Sequence, residues 1–187
     1  MLLEYVPLDV EDERVQKLFA ADADTYGRPS LFARALANNP DVLEARQEYV
    51  AALVADGALD AHTTELAYAA VAAVNDCEYC VASHTEQLVE HVGLDRKTVD
   101  SLLGGDLDEL AEDDRAVVSV ARAIADDPKR VSEDDFDRLR AVGFDDAAIV
   151  ELIAIASAAV AANVIADTLN VLPQDADELA EYARKDQ

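Results

Sequence analysis

Apolar residues recur at intervals of three and four along most of the chain, which is the spacing of amphipathic α-helices. Ser or Asp precedes many of these segments, as N-caps do, and Gly or Pro follows several of them. Long runs of alternating polar and apolar residues, typical of strands, are missing from the sequence. The pattern predicts an all-α protein. The predicted helices span 11–23, 31–37, 41–55, 61–74, 77–92, 96–103, 110–125, 133–142 and 145–171, with a polar helix or frayed tail over 175–185.

Two consecutive helices are predicted in the middle of the chain. Asp60 is expected to cap 61–74, and the Asn75-Asp76 pair then interrupts the helical pattern. Asp76 is expected to cap 77–92, which Gly93 follows. The two helices would lie side by side if the chain folds back at the interruption, but the spacing alone does not require this.

The segment 147–166 is nearly all apolar and therefore has to be considered as a membrane span. It is rich in Ala, lacks basic flanks and contains Glu151, Ser157 and Asn163. These features favour a buried central helix over a transmembrane one.

The length of 187 residues suits one domain with a sizeable core, and no low-complexity linker divides the chain. About half of the residues are apolar, yet Trp is absent and aromatic residues are few. The core is therefore expected to consist of closely packed helices with small side chains.

The formal net charge is −25, from 40 acidic and 15 basic residues that are spread along the chain. An acidic surface with few Lys residues is typical of proteins that stay soluble in very high salt, so we expect a halophilic protein. The same charge repels phosphate backbones and anionic membranes, which argues against nucleic-acid and membrane partners. The first ten residues lack the basic start and apolar core of a signal peptide, so a cytoplasmic location is expected.

The candidate chemistry is concentrated in residues 65–84. Cys77 and Cys80, the only cysteines, stand three positions apart; His84 follows four positions later, and Glu65 precedes the pair by twelve. Cysteines at this spacing in the first turn of a helix share one face, where the helix dipole stabilises a thiolate. His84 lies one turn further and can exchange a proton with Cys80. This pattern favours two-electron redox chemistry.

Other interpretations of the cysteine pair remain open. Zinc could be held by both cysteines with His84 and Glu65, although no second cysteine pair exists. A purely structural disulfide would close too short a loop to add much stability. Haem attachment would require His at position 81, where Val81 stands, and a thioredoxin-type motif would require strands.

The motif from Asn75 to His84, together with Glu65, resembles the active-site pattern of the AhpD-like alkylhydroperoxidases in the carboxymuconolactone decarboxylase superfamily, and is most similar to the peroxidase-related branch. The resemblance implies one all-helical AhpD-like domain over 1–187, with an N-terminal arm (1–30), a core motif region (61–103) and a C-terminal tail (172–187). It also implies a homo-oligomer, a trimer or hexamer, without metal or organic cofactor.

The resemblance further implies a role for each motif residue. Cys80 would attack a hydroperoxide, Cys77 would resolve the sulfenic acid as a disulfide, and Glu65 and His84 would relay protons. A dithiol or protein reductant would then restore the thiols. Helix-dipole reasoning favours Cys77 as the nucleophile, whereas the His84 neighbour and the resemblance favour Cys80, which we adopt.

One position departs from the best-known AhpD proteins, which carry His immediately before the second cysteine. Tyr79 stands there in this chain, and an ordinary tyrosine, with a pKa near 10, cannot act as a base at neutral pH. Tyr79 is interpreted as a packing residue, and the proton relay is expected to be shorter and the peroxidase activity weaker.

The remaining polar residues receive structural interpretations. His62 and His91 are expected at the surface, Glu151 as a hydrogen-bonded acid or helix-contact residue, and Asn163 with Asp167 as polar groups at an interface. Acidic pairs such as Asp113-Asp114 and Asp134-Asp135 are expected to be solvated. Two alternative functions remain: a non-catalytic redox-sensing or metal-binding helical oligomer, and a lyase or isomerase that uses Glu65 and His84.

Overall fold

The computed structural model describes residues 2–54 and 57–173, and within these ranges it is helical and without strands. The all-α prediction is therefore confirmed. The helices are α1 Glu13–Tyr26, α2 Leu31–Leu36, α3 Pro40–Val54, α4 Ala61–Asn75, α5 Glu78–Glu86, α6 Arg96–Gly104, α7 Glu112–Asp126, α8 Glu133–Ala141 and α9 Asp146–Leu169. The predicted helix or tail at 175–185 lies outside the described residues.

The helix boundary at residue 76 differs from the prediction. Asp76 does not cap the following helix; it ends α4 in the left-handed conformation, with φ of 55°, and its N–H donates to the carbonyl of Ala72. Cys77 is instead the N-cap of α5, with extended backbone. The predicted helix 77–92 also changes its winding, since a π-helical turn, Gln87–Val92, continues α5.

The main core forms where α4 packs against α7 and α9. Ala67, Ala69 and Ala70 on α4 have no exposed surface, and small side chains of this kind allow helix axes to approach closely. Leu66 of the same helix and Leu152 of α9 are also fully buried in this core. The composition therefore predicted the character of the core correctly.

Helix α9 is long and apolar enough to cross a membrane by length and composition alone. In this fold, half of its most apolar window is buried against the other helices. Glu151, an acid in this helix, accepts the backbone N–H groups of Ala58 (2.7 Å) and Leu59 (3.2 Å), as a hydrogen-bonded acid would.

A second apolar cluster joins the N-terminal helices α1 and α2 to the end of α9 and to the cysteine pair. The extended arm before α1 ties this layer together through backbone hydrogen bonds. The N–H of Leu2 donates to Leu169 (3.0 Å), and that of Val6 donates to Arg34 (3.1 Å). The N-terminal layer therefore covers the segment that carries the thiols.

Candidate active site

The turn between α4 and α5 brings the motif residues together. Since Asp76 adopts the left-handed conformation, the chain reverses and α5 runs back beside α4. The side chain of His84 on α5 thereby reaches Glu65 on α4, with 2.7 Å between Nδ1 and Oε2. Two residues that are 19 positions apart in sequence thus form a direct hydrogen bond.

The Glu65–His84 pair is largely shielded from water, with side chains that are 19% and 12% exposed respectively. The ring of Tyr68 stacks on the imidazole, with centroids 4.7 Å apart and an angle of 13° between the planes. Burial lowers the pKa of His84, but the Glu65 carboxylate and the nearby Cys80 sulfur outweigh burial and leave that pKa raised. His84 can therefore hold a proton and donate it.

Cys77 and Cys80 are free thiols, 0% and 4% exposed. A hydrogen bond from the Cys77 thiol lowers the pKa of Cys80, and the positive charge on His84 lowers it further. The same hydrogen bond, together with burial, raises the pKa of Cys77. The site therefore favours ionisation of Cys80 and keeps Cys77 protonated.

Helix α9 supplies two polar groups whose contact with the thiols the sequence did not predict. Asn163, 2% exposed, donates to the sulfur of Cys80 and thereby lowers its pKa, while its Oδ1 accepts from Asn75 at 3.4 Å. The Asp167 carboxylate lies within hydrogen-bond reach of Cys77 and raises the pKa of that thiol. The four-residue spacing of the two side chains indicated a shared helix face, but nothing in the sequence placed this face against the cysteines.

Tyr79 is a packing residue in the structure, as expected. Its ring is buried and stacks on Phe32 of α2, with centroids 6.0 Å apart. Burial raises the pKa of Tyr79, so its hydroxyl stays protonated at neutral pH.

A small cavity opens beside Cys80 and His84. Its volume is about 30 Å³, the space that one water molecule occupies in the liquid. The N-terminal helices contribute several lining residues that the sequence did not identify: Asp22, Tyr26, Phe32 and Arg46. Burial raises the pKa of Asp22, and its carboxylate accepts the N–H of Ser30 at 2.6 Å.

The other two histidines lie away from this cavity. His91 is exposed, as expected. His62 is half-buried rather than exposed, because its Nε2 pairs with Asp114 at 2.8 Å beside a separate cavity of about 220 Å³. The expectation that Asp114 is a solvated acid was therefore wrong. Within 2–54 and 57–173, no three His, Cys, Asp or Glu side chains are grouped so that they could hold a metal ion.

Residues 40–127 match the profile of the carboxymuconolactone decarboxylase family. No curated protein gives a significant match to the sequence. Among solved structures, the chain is similar to a peroxidase-related protein with an alkylhydroperoxidase AhpD core from Ralstonia eutropha JMP134. The two are 26% identical over 93% of this chain and 92% of that one, with a TM-score of 0.84.

Two further structures share the fold. A peroxidase-related protein from Silicibacter sp. TM1040 is 21% identical over 92% of this chain and 91% of its own, with a TM-score of 0.82. The debrominase Bmp8, solved as a cysteine-to-alanine variant with 2,3,4-tribromopyrrole, is 17% identical over 96% of both chains, with a TM-score of 0.80. The fold thus occurs in proteins with different activities. Residues 40–127 are thus similar to the carboxymuconolactone decarboxylase family, and the chain has the AhpD-like fold of the peroxidase-related proteins.

Proposed function

We propose that this protein is a thiol-dependent hydroperoxidase in which Cys80 and Cys77 form the redox pair and Glu65 and His84 relay protons. The observation that carries the proposal is the 2.7 Å hydrogen bond between Glu65 and Nδ1 of His84, at a cavity that His84 lines together with Cys80 of the Cys77/Cys80 pair. This arrangement supplies a thiolate, a resolving thiol and a proton donor at one small cavity.

The first step oxidises the enzyme. The Cys80 thiolate attacks the terminal oxygen of a hydroperoxide, the S–O bond forms and the O–O bond breaks. The leaving alkoxide takes a proton from His84 and departs as the alcohol. Glu65 holds the imidazole in position by the 2.7 Å hydrogen bond to Nδ1, so that Nε2 is the nitrogen that donates.

The second step resolves the sulfenic acid. Cys77 attacks the sulfur of Cys80, the disulfide forms and the sulfenic oxygen leaves as water with the proton of the Cys77 thiol. A dithiol or protein reductant then exchanges with the disulfide; its two thiols become a disulfide and both enzyme thiols are restored. The steps use no metal or organic cofactor. We further propose that the protein acts in the cytoplasm as a homo-oligomer, a trimer or hexamer.

The test is to trap the sulfenic acid with a dimedone probe after one equivalent of cumene hydroperoxide, in multimolar KCl. Cys77→Ser is expected to accumulate labelled Cys80, wild type to form the disulfide with little label, and Cys80→Ser to stay unlabelled. Label at Cys77 in Cys80→Ser would reverse the two assignments. Thiols that survive the hydroperoxide in folded wild type would contradict the proposal.

A Cys77→Ala, Cys80→Ala double variant separates this proposal from the lyase or isomerase alternative. That alternative depends on Glu65 and His84, so the double variant would keep its activity on a small acid substrate. Peroxide consumption must disappear in the same variant. Elemental analysis of protein purified without chelators tests the metal-binding alternative. About one zinc per chain would support that alternative.

A further inference from the structure

The guanidinium of Arg46, on α3, lies over the ring of Phe32, with 4.7 Å from Cζ to the ring centroid. Both residues line the cavity beside Cys80 and His84. Arg46 is half-buried and, within the described residues, forms no ion pair with a carboxylate. By contrast, Arg14, whose guanidinium contacts a neighbouring part of α3, pairs with both Asp41 and Glu44.

Arg46 shares this cavity with Asp22, Tyr26 and His84, so its positive charge lies within the site. The remainder of the molecule is strongly negative, at −25 overall, and repels anions. Arg46 therefore allows an anionic group to bind at the cavity beside Cys80.

The Asp22 carboxylate lines the same cavity, but within the described residues it forms no ion pair with Arg46. It accepts the backbone N–H of Ser30 at 2.6 Å instead. A guanidinium that lies over an aromatic ring can still offer two N–H groups to a carboxylate.

The dimensions of the cavity limit what reaches Cys80. With a volume of about 30 Å³, the cavity is small, so the peroxide group is expected inside it and the rest of an organic substrate beside it. The rings of Tyr26 and Phe32 line the same cavity as Arg46. The site thus combines an apolar contact and a cation with the thiol that attacks the O–O bond.

We propose that Arg46 recognises the carboxylate of the substrate and that the substrate class is an acidic organic hydroperoxide with an aromatic or otherwise apolar body. The proposal rests on the hydroperoxidase function proposed above, and it adds which hydroperoxides are preferred. No electron or proton transfer is assigned to Arg46, which is a specificity residue.

The experiment compares 4-(2-hydroperoxypropan-2-yl)benzoate with its methyl ester, because the pair differs in charge and shares the ring and the peroxide. Wild type should have a higher kcat/KM for the acid than for the ester. In Arg46→Gln this acid-to-ester ratio should fall by about tenfold, the scale of one charge-assisted hydrogen bond, and Arg46→Lys should give an intermediate ratio. Arg14→Gln removes the same charge away from the cavity and should keep the wild-type ratio.

Binding of 4-isopropylbenzoate, which lacks the peroxide, is measured in parallel by calorimetry on the reduced protein, with its methyl ester as control. Preferential binding of the acid that Arg46→Gln abolishes supports the role of Arg46 even if neither hydroperoxide is consumed, in which case the hydroperoxidase proposal fails alone. Three results would overturn the recognition proposal: equal kcat/KM for the acid and the ester, an acid-to-ester ratio that is unchanged in Arg46→Gln, or no binding of the acid. The hydroperoxidase proposal would still stand wherever a hydroperoxide is consumed.

Discussion

At the scale of single residues, the two cysteines differ through their partners. Cys80 has a thiol donor, an amide donor and a nearby imidazolium, all of which favour a negative sulfur. Cys77 has a carboxylate and a sulfur that both disfavour its ionisation. Position along the helix dipole alone would have given a different order, so specific contacts decide which thiol ionises.

Asn163 is expected to stabilise the Cys80 thiolate. Asn163→Ala removes the donor to this sulfur and should raise the pKa of Cys80. Because a hydrogen bond to a charged group contributes about 1.5–3 kcal/mol, alkylation by iodoacetamide at pH 7 should slow by about tenfold. The pH profile of the alkylation rate in Cys77→Ser protein measures the shift. Ser157→Ala, an exposed change on the same helix, is the control and should leave the profile in place; an unmoved profile in Asn163→Ala would refute this role.

The Glu65 carboxylate is expected to maintain the raised pKa of His84. In Glu65→Gln the burial of His84 is no longer outweighed by a carboxylate, so its pKa should fall, which NMR titration of the imidazole C–H signals measures. A His84 titration that is unchanged in the variant would show that the pair does not set this pKa.

The same substitution has a pH-dependent effect on stability. A pKa raised by folding adds stability that is fully present below the unfolded value, near 6.5, and is lost as pH rises through the folded value. Glu65→Gln should therefore lower the free energy of unfolding most just below pH 6.5, by about 1–3 kcal/mol, and less above the raised pKa. Chemical denaturation of wild type and variant, once just below pH 6.5 and once above the raised pKa of His84, tests whether the loss of stability is larger at the lower pH.

At the scale of elements, the reversal after α4 depends on one residue in an unusual conformation. Asp76 has φ of 55°, which β-branched residues adopt only at a cost. Asp76→Val should lower the free energy of unfolding by about 1–2 kcal/mol, whereas Asp76→Gly should not lower it. Asn170, which follows α9, has a similar φ of 53°. Asn170→Val and Asn170→Gly therefore serve as a matched pair that measures the cost of the same conformation away from this turn. Equal stability of the Val and Gly variants at position 76 would contradict the argument.

One face of α9 stays open in the single chain. Val150 and Val164 are 66% and 59% exposed. They belong to a stripe at intervals of three, four and seven residues that consists of Val150, Ser157, Ala161, Val164 and Thr168. If a second copy covers this stripe in the proposed oligomer, Val164→Glu should reduce the mass measured by light scattering. Val42→Glu, on α3, is the control; an unchanged mass in Val164→Glu would assign the contact elsewhere.

At the scale of the whole molecule, charge dominates the surface. Ion pairs such as Arg96–Asp100 and Lys97–Glu109 are exposed, and solvent screens their attraction. They cannot balance the repulsion among 40 acidic residues that face only 15 basic ones. The net electrostatic term therefore destabilises the fold at low salt.

Added salt is accordingly expected to stabilise the protein. Raising KCl from about 0.1 M to 1 M shortens the screening length from about 10 Å to about 3 Å, so the thermal midpoint should rise by about 10 °C. Calorimetry across this range measures the midpoint, with sucrose at equal osmolality as the control for general solute effects. A midpoint that is independent of KCl would contradict the halophilic prediction.

Features that depend on local geometry were predictable from the amino-acid sequence. Helix periodicity and capping residues located the helices, and the spacing of Cys77, Cys80 and His84 placed them in one short motif. These predictions succeeded because a helix relates residues three and four apart in the same way wherever it occurs. The error at Asp76 was local too, since the same residue type serves as an N-cap and adopts the left-handed conformation.

Which side chains meet across elements depends on the tertiary fold. The fold brings Glu65 to His84, places Asn163 against Cys80, and sets Arg46 and Phe32 in the wall of the cavity. Periodicity shows which face of a helix is apolar, but it does not show which helix covers that face. The thiols are encoded within a few residues, whereas their ionisation and the expected preference for a substrate depend on helices from both ends of the chain.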